Sequence, residues 1–199
     1  MKRKLPILQV ELTGAALLKE QLEGKVKPEH VVSCEKGCSN CCYQPLTISI
    51  LEGIHIYDYL ESQNMWTTRL RQALQVHSDR SMASPEVVAL AALPCPLLSN
   101  LECTVYPSRP MACRTLIAYG DPHYCHPHRM DARRANLMDR DSLIQEYWAY
   151  EESILRPKRL QVLLLPLSTA VLVGAKVRRG EMTIDRVDAF LLEEYRTKS

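Results

Sequence analysis

The residues of this sequence that are best suited to chemistry are its eight cysteines, which fall into two groups. The first group occupies nine consecutive positions, and the second is spread between positions 95 and 125. Thiolates bind soft and borderline cations well, which favours zinc, copper(I) or an iron–sulfur cluster over magnesium or calcium. We therefore expect the cysteines to be metal ligands, the full set being Cys34, Cys38, Cys41, Cys42, Cys95, Cys103, Cys113 and Cys125.

The spacing within the first group predicts convergence on one ion. Cys34, Cys38 and Cys41 are separated by the short intervals that a turn can fold around a metal, and a distant pair would complete a tetrahedral shell. Cys42 directly follows Cys41, so its side chain is expected to point elsewhere and to serve a second site or none. Two four-thiolate sites, one larger cluster, or one site with spare thiols all remain open.

Charged and imidazole side chains accompany the second group. Four thiolates around Zn²⁺ carry a formal charge of about −2, and a buried charge needs partners. Three arginines near Cys113 and Cys125 are candidates for that role, namely Arg109, Arg114 and Arg129. Three histidines flank Cys125 and are either ligands or surface residues, namely His123, His126 and His128.

Composition limits where such a protein acts. Hydrophobic residues make up 46% of the 199, enough for a core, and the formal net charge of +2 gives no sign of nucleic-acid binding. The apolar stretch 5–10 is too short for a signal peptide, and the stretch 160–175 is too short to span a bilayer. We expect a cytoplasmic protein whose partner is a metal ion, without a membrane or nucleic-acid partner and with no protein partner indicated. Disulfides are rare in the cytosol, so a metal best explains the thiols.

Local patterns predict the elements around the cysteines. Ser49 and Glu52 form a capping box that opens a helix over about 50–63, and a second helix is expected over about 66–77. The stretch 95–106 resembles a β-hairpin that turns at Ser99 and Asn100. Further helices are expected over 131–155 and 185–195, while 160–167 is either a strand or a buried helix.

These elements predict a mostly α fold of the α+β class. It would be a small cysteine-rich metal-binding domain that contains a short β-hairpin and is packed by flanking helices. The expected organisation is an N-terminal helical extension over 1–30, the cysteine-cluster domain over 31–130 and a C-terminal helical extension packed on it over 131–199.

The cysteine motifs resemble a known family. Three segments are similar to the YkgJ-like cysteine-cluster family. They are the run from Cys34 to Cys42, the segment Cys95-Pro-Leu-Leu, and the run from Cys103 through Tyr106, Arg109, Pro110, Cys113 and Arg114. That family has a CxxCxxCC-type signature and is described as a candidate zinc- or iron-chelating domain. The resemblance covers about half of the chain and implies that all eight cysteines occupy ligand positions, with Zn²⁺ or an iron–sulfur cluster as the cofactor.

Two functions remain open at this point. In the first, the protein chelates zinc or an iron–sulfur cluster through up to eight cysteines, and the metal mainly holds the fold. In the second, it is an iron–sulfur-dependent oxidoreductase or a protein-modifying enzyme that uses the cluster. A radical-SAM enzyme is disfavoured because the sequence lacks the alternating strands and helices of its barrel.

Overall fold

The computed structural model describes residues 31–32, 34, 37–83, 93–118, 140–156, 162–187 and 189–190. The predicted class is confirmed, because these residues are mostly helical and add two small antiparallel sheets. The α-helices are α1 (Ile50–Ser62), α2 (Thr68–Ala83), α3 (Met111–Arg114), α4 (Arg140–Leu155) and α5 (Leu167–Arg178). The strands are β1 (Thr47–Ser49), β2 (Leu98–Ser99), β3 (Glu102–Cys103) and β4 (Leu164–Pro166). The division of the chain into three segments stays a prediction.

The predicted capping box begins α1. The Ser49 hydroxyl accepts a hydrogen bond from the Glu52 amide at 3.1 Å, and the Glu52 carboxylate accepts one from the Ser49 amide at 2.9 Å. Two amides that lack a partner within the helix are thereby satisfied. The helix ends at Ser62, one residue before the predicted end.

The uncertain stretch after residue 160 contains both a strand and a helix. β4 pairs with β1 in antiparallel register, with Leu165 opposite Ile48. The backbone leaves the extended conformation at Pro166, which is the N-cap of α5. A proline suits this place because it lacks the amide that would have no partner in the first turn.

Two glycines allow α1 and α5 to cross with their backbones in contact. A Cβ atom added to Gly53 would lie 2.2 Å from the Ala170 carbonyl oxygen, and one added to Gly174 would lie 2.7 Å from the Ile54 amide nitrogen. Neither position has space for a side chain. The crossing fixes α5 against the helix that leads away from the first cysteine group.

The main core surrounds this crossing. Its fully buried members include Ile56 and Leu60 of α1 and Ala170 and Val171 of α5. Cys95 and Cys103 pack against the same cluster. A smaller cluster joins α3 to α4 through Met111 and Tyr147, which are 2% and 8% exposed.

The predicted hairpin is present, but its turn lies one residue further along the chain. Ser99 pairs with Glu102, so the two loop residues are Asn100 and Leu101 rather than Ser99 and Asn100. Both have positive φ, 50° and 63°, as a two-residue hairpin turn of this hand requires. A leucine rarely adopts that conformation, which is why the sequence did not indicate it.

The other predicted elements are observed in part. The helix expected over 66–77 is α2 and extends to Ala83, while the helix expected over 131–155 is described from Arg140. Near the C-terminus the described residues form a short 3-10 turn, Ile184–Arg186, followed by helical residues at 187, 189 and 190. The rest of the expected helix lies outside the described residues, as does the extension 1–30. No helix within the described ranges is long and apolar enough to cross a membrane.

We expect Gly53→Ala to lower the free energy of unfolding by about 3 kcal/mol, because the added methyl group meets backbone that cannot rotate away. Urea denaturation of the full chain measures this. Gly180→Ala is the matched control: Gly180 has φ of 74° with nothing within 4 Å of the added Cβ, so the cost should be about 1 kcal/mol. Equal losses in the two variants would contradict the close crossing of α1 and α5.

Candidate metal centre

Cysteines from three separate parts of the chain line one cavity. The cavity has a volume of about 480 Å³, and its walls are otherwise mainly apolar, with leucine, valine and proline side chains. Six of the eight predicted ligands contribute to the wall, namely Cys38, Cys41, Cys42, Cys95, Cys103 and Cys113. Three cysteines of the first group and three of the second therefore line one cavity, while their role as ligands of a shared ion stays a prediction.

The first wall is a 3-10 turn, Asn40–Tyr43, which carries Cys41 and Cys42. Its backbone is tied to the second group directly, because the Cys42 carbonyl accepts a hydrogen bond from the Cys95 amide at 2.8 Å. Cys41 and Cys42 line the same cavity, and the expectation that Cys42 serves a second metal site or none stays a prediction. In a tight 3-10 turn, successive side chains are not on opposite faces as they are in a strand.

The second wall is the β2–β3 hairpin and the residues before it. Cys103 lies in β3 opposite Leu98, and Cys95 lies three residues before β2. Leu97 and Val105 anchor the hairpin in the main core, with 2% and 1% of their surface exposed. Burial of these two side chains holds both cysteines at the edge of the core.

The third wall is the short helix α3, which contains Cys113. The Pro110 carbonyl accepts from the amides of Cys113 and Arg114, both at 3.0 Å. The Arg114 guanidinium donates to the carbonyls of Pro107 and Arg109, at 2.5 and 2.7 Å. Arg114 therefore braces the turn before α3, and its predicted role as an offsetting charge stays a prediction.

The two remaining predicted ligands are placed differently. Cys34 is exposed and does not line the cavity; its sulfur accepts a hydrogen bond from the Ala118 amide at 3.4 Å. Cys125 lies outside the described residues, together with Arg129, His123, His126 and His128. None of the seven cysteines that the structure describes forms a disulfide.

Burial makes four of the cavity thiols hard to ionise, namely Cys41, Cys95, Cys103 and Cys113. It raises the pKa of Cys95 to about 12 and raises the pKa of Cys113 well above the ordinary value, with Cys95 as a further cause at Cys113. The pKa of Cys41 is raised chiefly by its hydrogen bond with Cys42 and then by burial. These thiols are therefore neutral at pH 7 unless a cation stabilises the thiolate.

Arg109 is the positive charge that faces the cluster. Its guanidinium lies 3.6 Å from the centre of the Tyr106 ring and donates to the Tyr106 carbonyl at 3.2 Å. From this position it lowers the pKa of Cys41, Cys103 and Cys113, opposing the effect of burial. The sequence-based proposal that Arg109 offsets thiolate charge thus agrees with its location.

The donor set suits a thiophilic metal, although the sulfur atoms are not gathered at one point. Among the described residues, no three cysteine, histidine or acidic side chains converge closely enough to share an ion. Zinc–sulfur bonds are about 2.3 Å long, so binding requires thiol side chains to turn into the cavity. Rotation of a cysteine side chain moves its sulfur without moving the backbone that positions it.

A buried acid supports the third wall from behind, and it belongs to a polar network that reaches α4. The Glu52 carboxylate, 6% exposed, accepts from the Met111 amide at 2.6 Å in addition to the Ser49 amide of the capping box. The Ser49 hydroxyl donates to Glu151 of α4 at 2.7 Å. The sequence pattern predicted the capping box, but neither the contact with Met111 nor the buried Glu151 could be read from local spacing.

Glu151 is a buried acid with an altered pKa. Its side chain is in contact with Ser49 and near Glu52 and Tyr147, and the second oxygen has no hydrogen-bond partner among the described residues. Burial raises its pKa to about 7, and the neighbouring Glu52 carboxyl adds to this effect. Glu151 thus takes up a proton in the folded protein at a pH where it is ionised in the unfolded chain.

Comparison with known proteins gives one match. Residues 33–136 match the model of the CxxCxxCC family, a candidate zinc- or iron-chelating domain. This range contains all eight cysteines together with Glu52, Arg109 and Arg114. No curated protein and no solved structure matches the chain significantly.

We expect Arg109→Gln to slow alkylation of Cys41, Cys103 and Cys113 in metal-free protein about threefold at constant pH, because removing the cation raises the pKa of these thiols. Mass spectrometry after timed iodoacetamide treatment measures the rate at each cysteine. Arg178→Gln is the control, since Arg178 pairs with Asp58 at 2.8 Å and does not act on the cysteines. Equal rates in the wild type and Arg109→Gln would contradict the assigned charge effect.

We expect Glu151 to make stability depend on pH. Its pKa in the folded protein is about 7, above the ordinary 4.5, so its contribution is present at low pH and is lost as the pH rises through 7. Relative to Glu151→Gln, the wild type should therefore lose about 3 kcal/mol of unfolding free energy between about pH 5 and pH 8. Denaturation at a series of pH values measures the difference, with the exposed Glu61→Gln as control. A constant difference across that range would show that Glu151 is ionised in the folded protein.

Proposed function

Since the chain belongs to the CxxCxxCC family of candidate zinc- or iron-chelating domains, we propose that its cavity binds zinc or an iron–sulfur cluster through cysteine thiolates. The observation that carries this proposal is the meeting of six cysteines from three chain segments around one cavity. A shared metal ligand explains why thiols so far apart in the sequence lie around one cavity. We favour a metal-binding role in which no catalysis is implied.

The proposed ligands are the six cysteines of the cavity wall. Cys34 and Cys125 stay predictions as additional ligands, and the histidines around Cys125 stay alternatives to them. A closed site of four thiolates needs only part of this set, so the number of cavity sulfurs is compatible with a zinc site or with a cluster. Bound metal would supply folding free energy, which for structural zinc is on the order of 10 kcal/mol.

The protein's own residues have three tasks in this proposal. Cys95 and Cys113 release protons on binding, since burial raises the pKa of both thiols well above neutral pH without a cation. Arg109 offsets part of the negative charge that remains on the thiolates. The apolar wall, which includes Leu97 and Val105, keeps water and competing oxygen ligands away from the sulfur atoms.

The proposed compartment is the cytosol, and the proposed partner is the metal ion. Thiols that must stay reduced to bind metal are best preserved in a reducing compartment. The absence of disulfides among the described cysteines is compatible with this location.

The test is the metal content of the full-length protein purified without oxygen. We expect zinc or iron in the wild type, and a loss of at least about half of it in the double variant Cys95→Ser, Cys113→Ser, which removes ligands from two walls. A brown colour that dithionite bleaches would identify an iron–sulfur cluster, whereas a colourless protein that releases zinc on thiol modification would identify zinc.

Ser99→Ala is the control, because Ser99 lies on the same hairpin with an exposed side chain outside the cavity wall. It should keep the metal content of the wild type. Metal bound equally well by the double variant would place the site elsewhere and refute the proposal.

A further inference from the structure

Helix α3 has only four residues, so it depends on contacts outside itself. A helix this short is far below the length at which helix formation sustains itself in water. Its N-cap is Pro110, which makes no side-chain cap hydrogen bond. Something else must therefore fix the position of Cys113 at the cavity wall.

Glu52 supplies that contact from the neighbouring helix. One carboxylate oxygen accepts from the amide of Met111, the first residue of α3, at 2.6 Å, and the other accepts from the amide of Ser49 at 2.9 Å. With both oxygens engaged by backbone donors and 6% of the residue exposed, the carboxylate joins the start of α1 to the start of α3. A hydrogen bond to a buried carboxylate is stronger than one between neutral groups.

We propose that Glu52 is a positioning residue of the metal centre: by holding the Met111 amide, its carboxylate fixes α3 and keeps Cys113 at the cavity wall. Glu52 is not a ligand, because it does not line the cavity. Any effect on metal binding rests on the proposed function, whereas the effect on Cys113 itself does not.

Two substitutions distinguish the hydrogen bond between Glu52 and Met111 from a wider effect on the buried polar network. Glutamine has one acceptor oxygen, so its amide group must face either the Met111 amide or the Ser49 amide and leave a buried donor without a partner. Glu151→Gln is the matched control: Glu151 is a buried acid bonded to the same Ser49 hydroxyl, with no hydrogen bond to α3. A disturbance of the polar network around Ser49 would affect both variants, but only Glu52→Gln should release α3.

The experiment measures the alkylation rate of each cysteine in metal-free, full-length protein, followed by zinc affinity in competition with a chromophoric chelator. In Glu52→Gln we expect Cys113 to react about tenfold faster while Cys95 and Cys103 change less than about twofold, and zinc to bind at least about tenfold more weakly. Glu151→Gln should leave the rate at Cys113 and the zinc affinity within about twofold of the wild type.

Two results would overturn the proposal. One is an unchanged rate at Cys113 both in Glu52→Gln and in Glu52→Ala, which has no acceptor for the Met111 amide. The other is an equal increase at all cavity cysteines, which would indicate a structural role alone. If Glu52→Gln does not fold, amide hydrogen exchange of the wild type decides, because rapid exchange of the Met111 amide would show that the hydrogen bond does not hold α3. A wild type that binds no zinc or iron would refute the proposed function, while the rate at Cys113 would still decide the role of Glu52.

Discussion

Ionised sulfur in an apolar cavity is unfavourable unless a cation lies beside it, and this constraint governs the arrangement around the cluster. The walls of the cavity are mainly leucine, valine and proline, which cannot stabilise a thiolate. The thiols therefore hold their protons, as the raised pKa values of Cys95 and Cys113 indicate. A metal ion can displace those protons, and Arg109 supplies one positive charge that persists without metal. The same environment that disfavours free thiolates would thus favour a bound soft cation.

Each wall of the cavity is held by a different kind of interaction. The turn that carries Cys41 and Cys42 is tied by a backbone hydrogen bond to Cys95, and the hairpin is anchored by apolar burial of Leu97 and Val105. The helix that carries Cys113 is held by polar contacts from Glu52 and Arg114. Behind these walls, α1 and α5 cross closely at their glycines. Backbone hydrogen bonding, apolar burial and polar contacts thus each hold one part of the framework that carries the sulfur atoms.

Sequence patterns predicted the features that depend on neighbouring residues. The capping box at Ser49 and Glu52 and the hairpin that carries Cys103 follow from local spacing and side-chain chemistry, and both are present. The hairpin turn was misplaced by one residue because Leu101 adopts a backbone conformation that leucine normally avoids. Cys42 lines the same cavity as Cys41 because the two lie in a 3-10 turn, which their adjacency in the sequence did not indicate. In both cases the local conformation, rather than the residue type, decided the outcome.

The contacts that position the site were not accessible from local spacing. Glu52 lies 59 positions before Met111, and Ser49 lies 102 positions before Glu151, so each pair meets only through the tertiary fold. Because single acidic residues in helical patterns usually lie at the surface, there was no reason to expect Glu52 and Glu151 to be buried. The grouping of the cysteines, in contrast, indicated a shared site because metal ligation is the common explanation for many thiols in a reducing compartment.

The central claim is that cavity cysteines bind the metal through sulfur. X-ray absorption spectroscopy at the absorption edge of the bound metal tests it most directly, because it identifies the atoms bonded to the metal without relying on substitutions. Sulfur ligation predicts a first shell dominated by sulfur atoms at about 2.3 Å from zinc or from the iron of a cluster. A first shell made only of oxygen or nitrogen atoms at about 2.0–2.1 Å would contradict the assignment of the cavity cysteines as ligands.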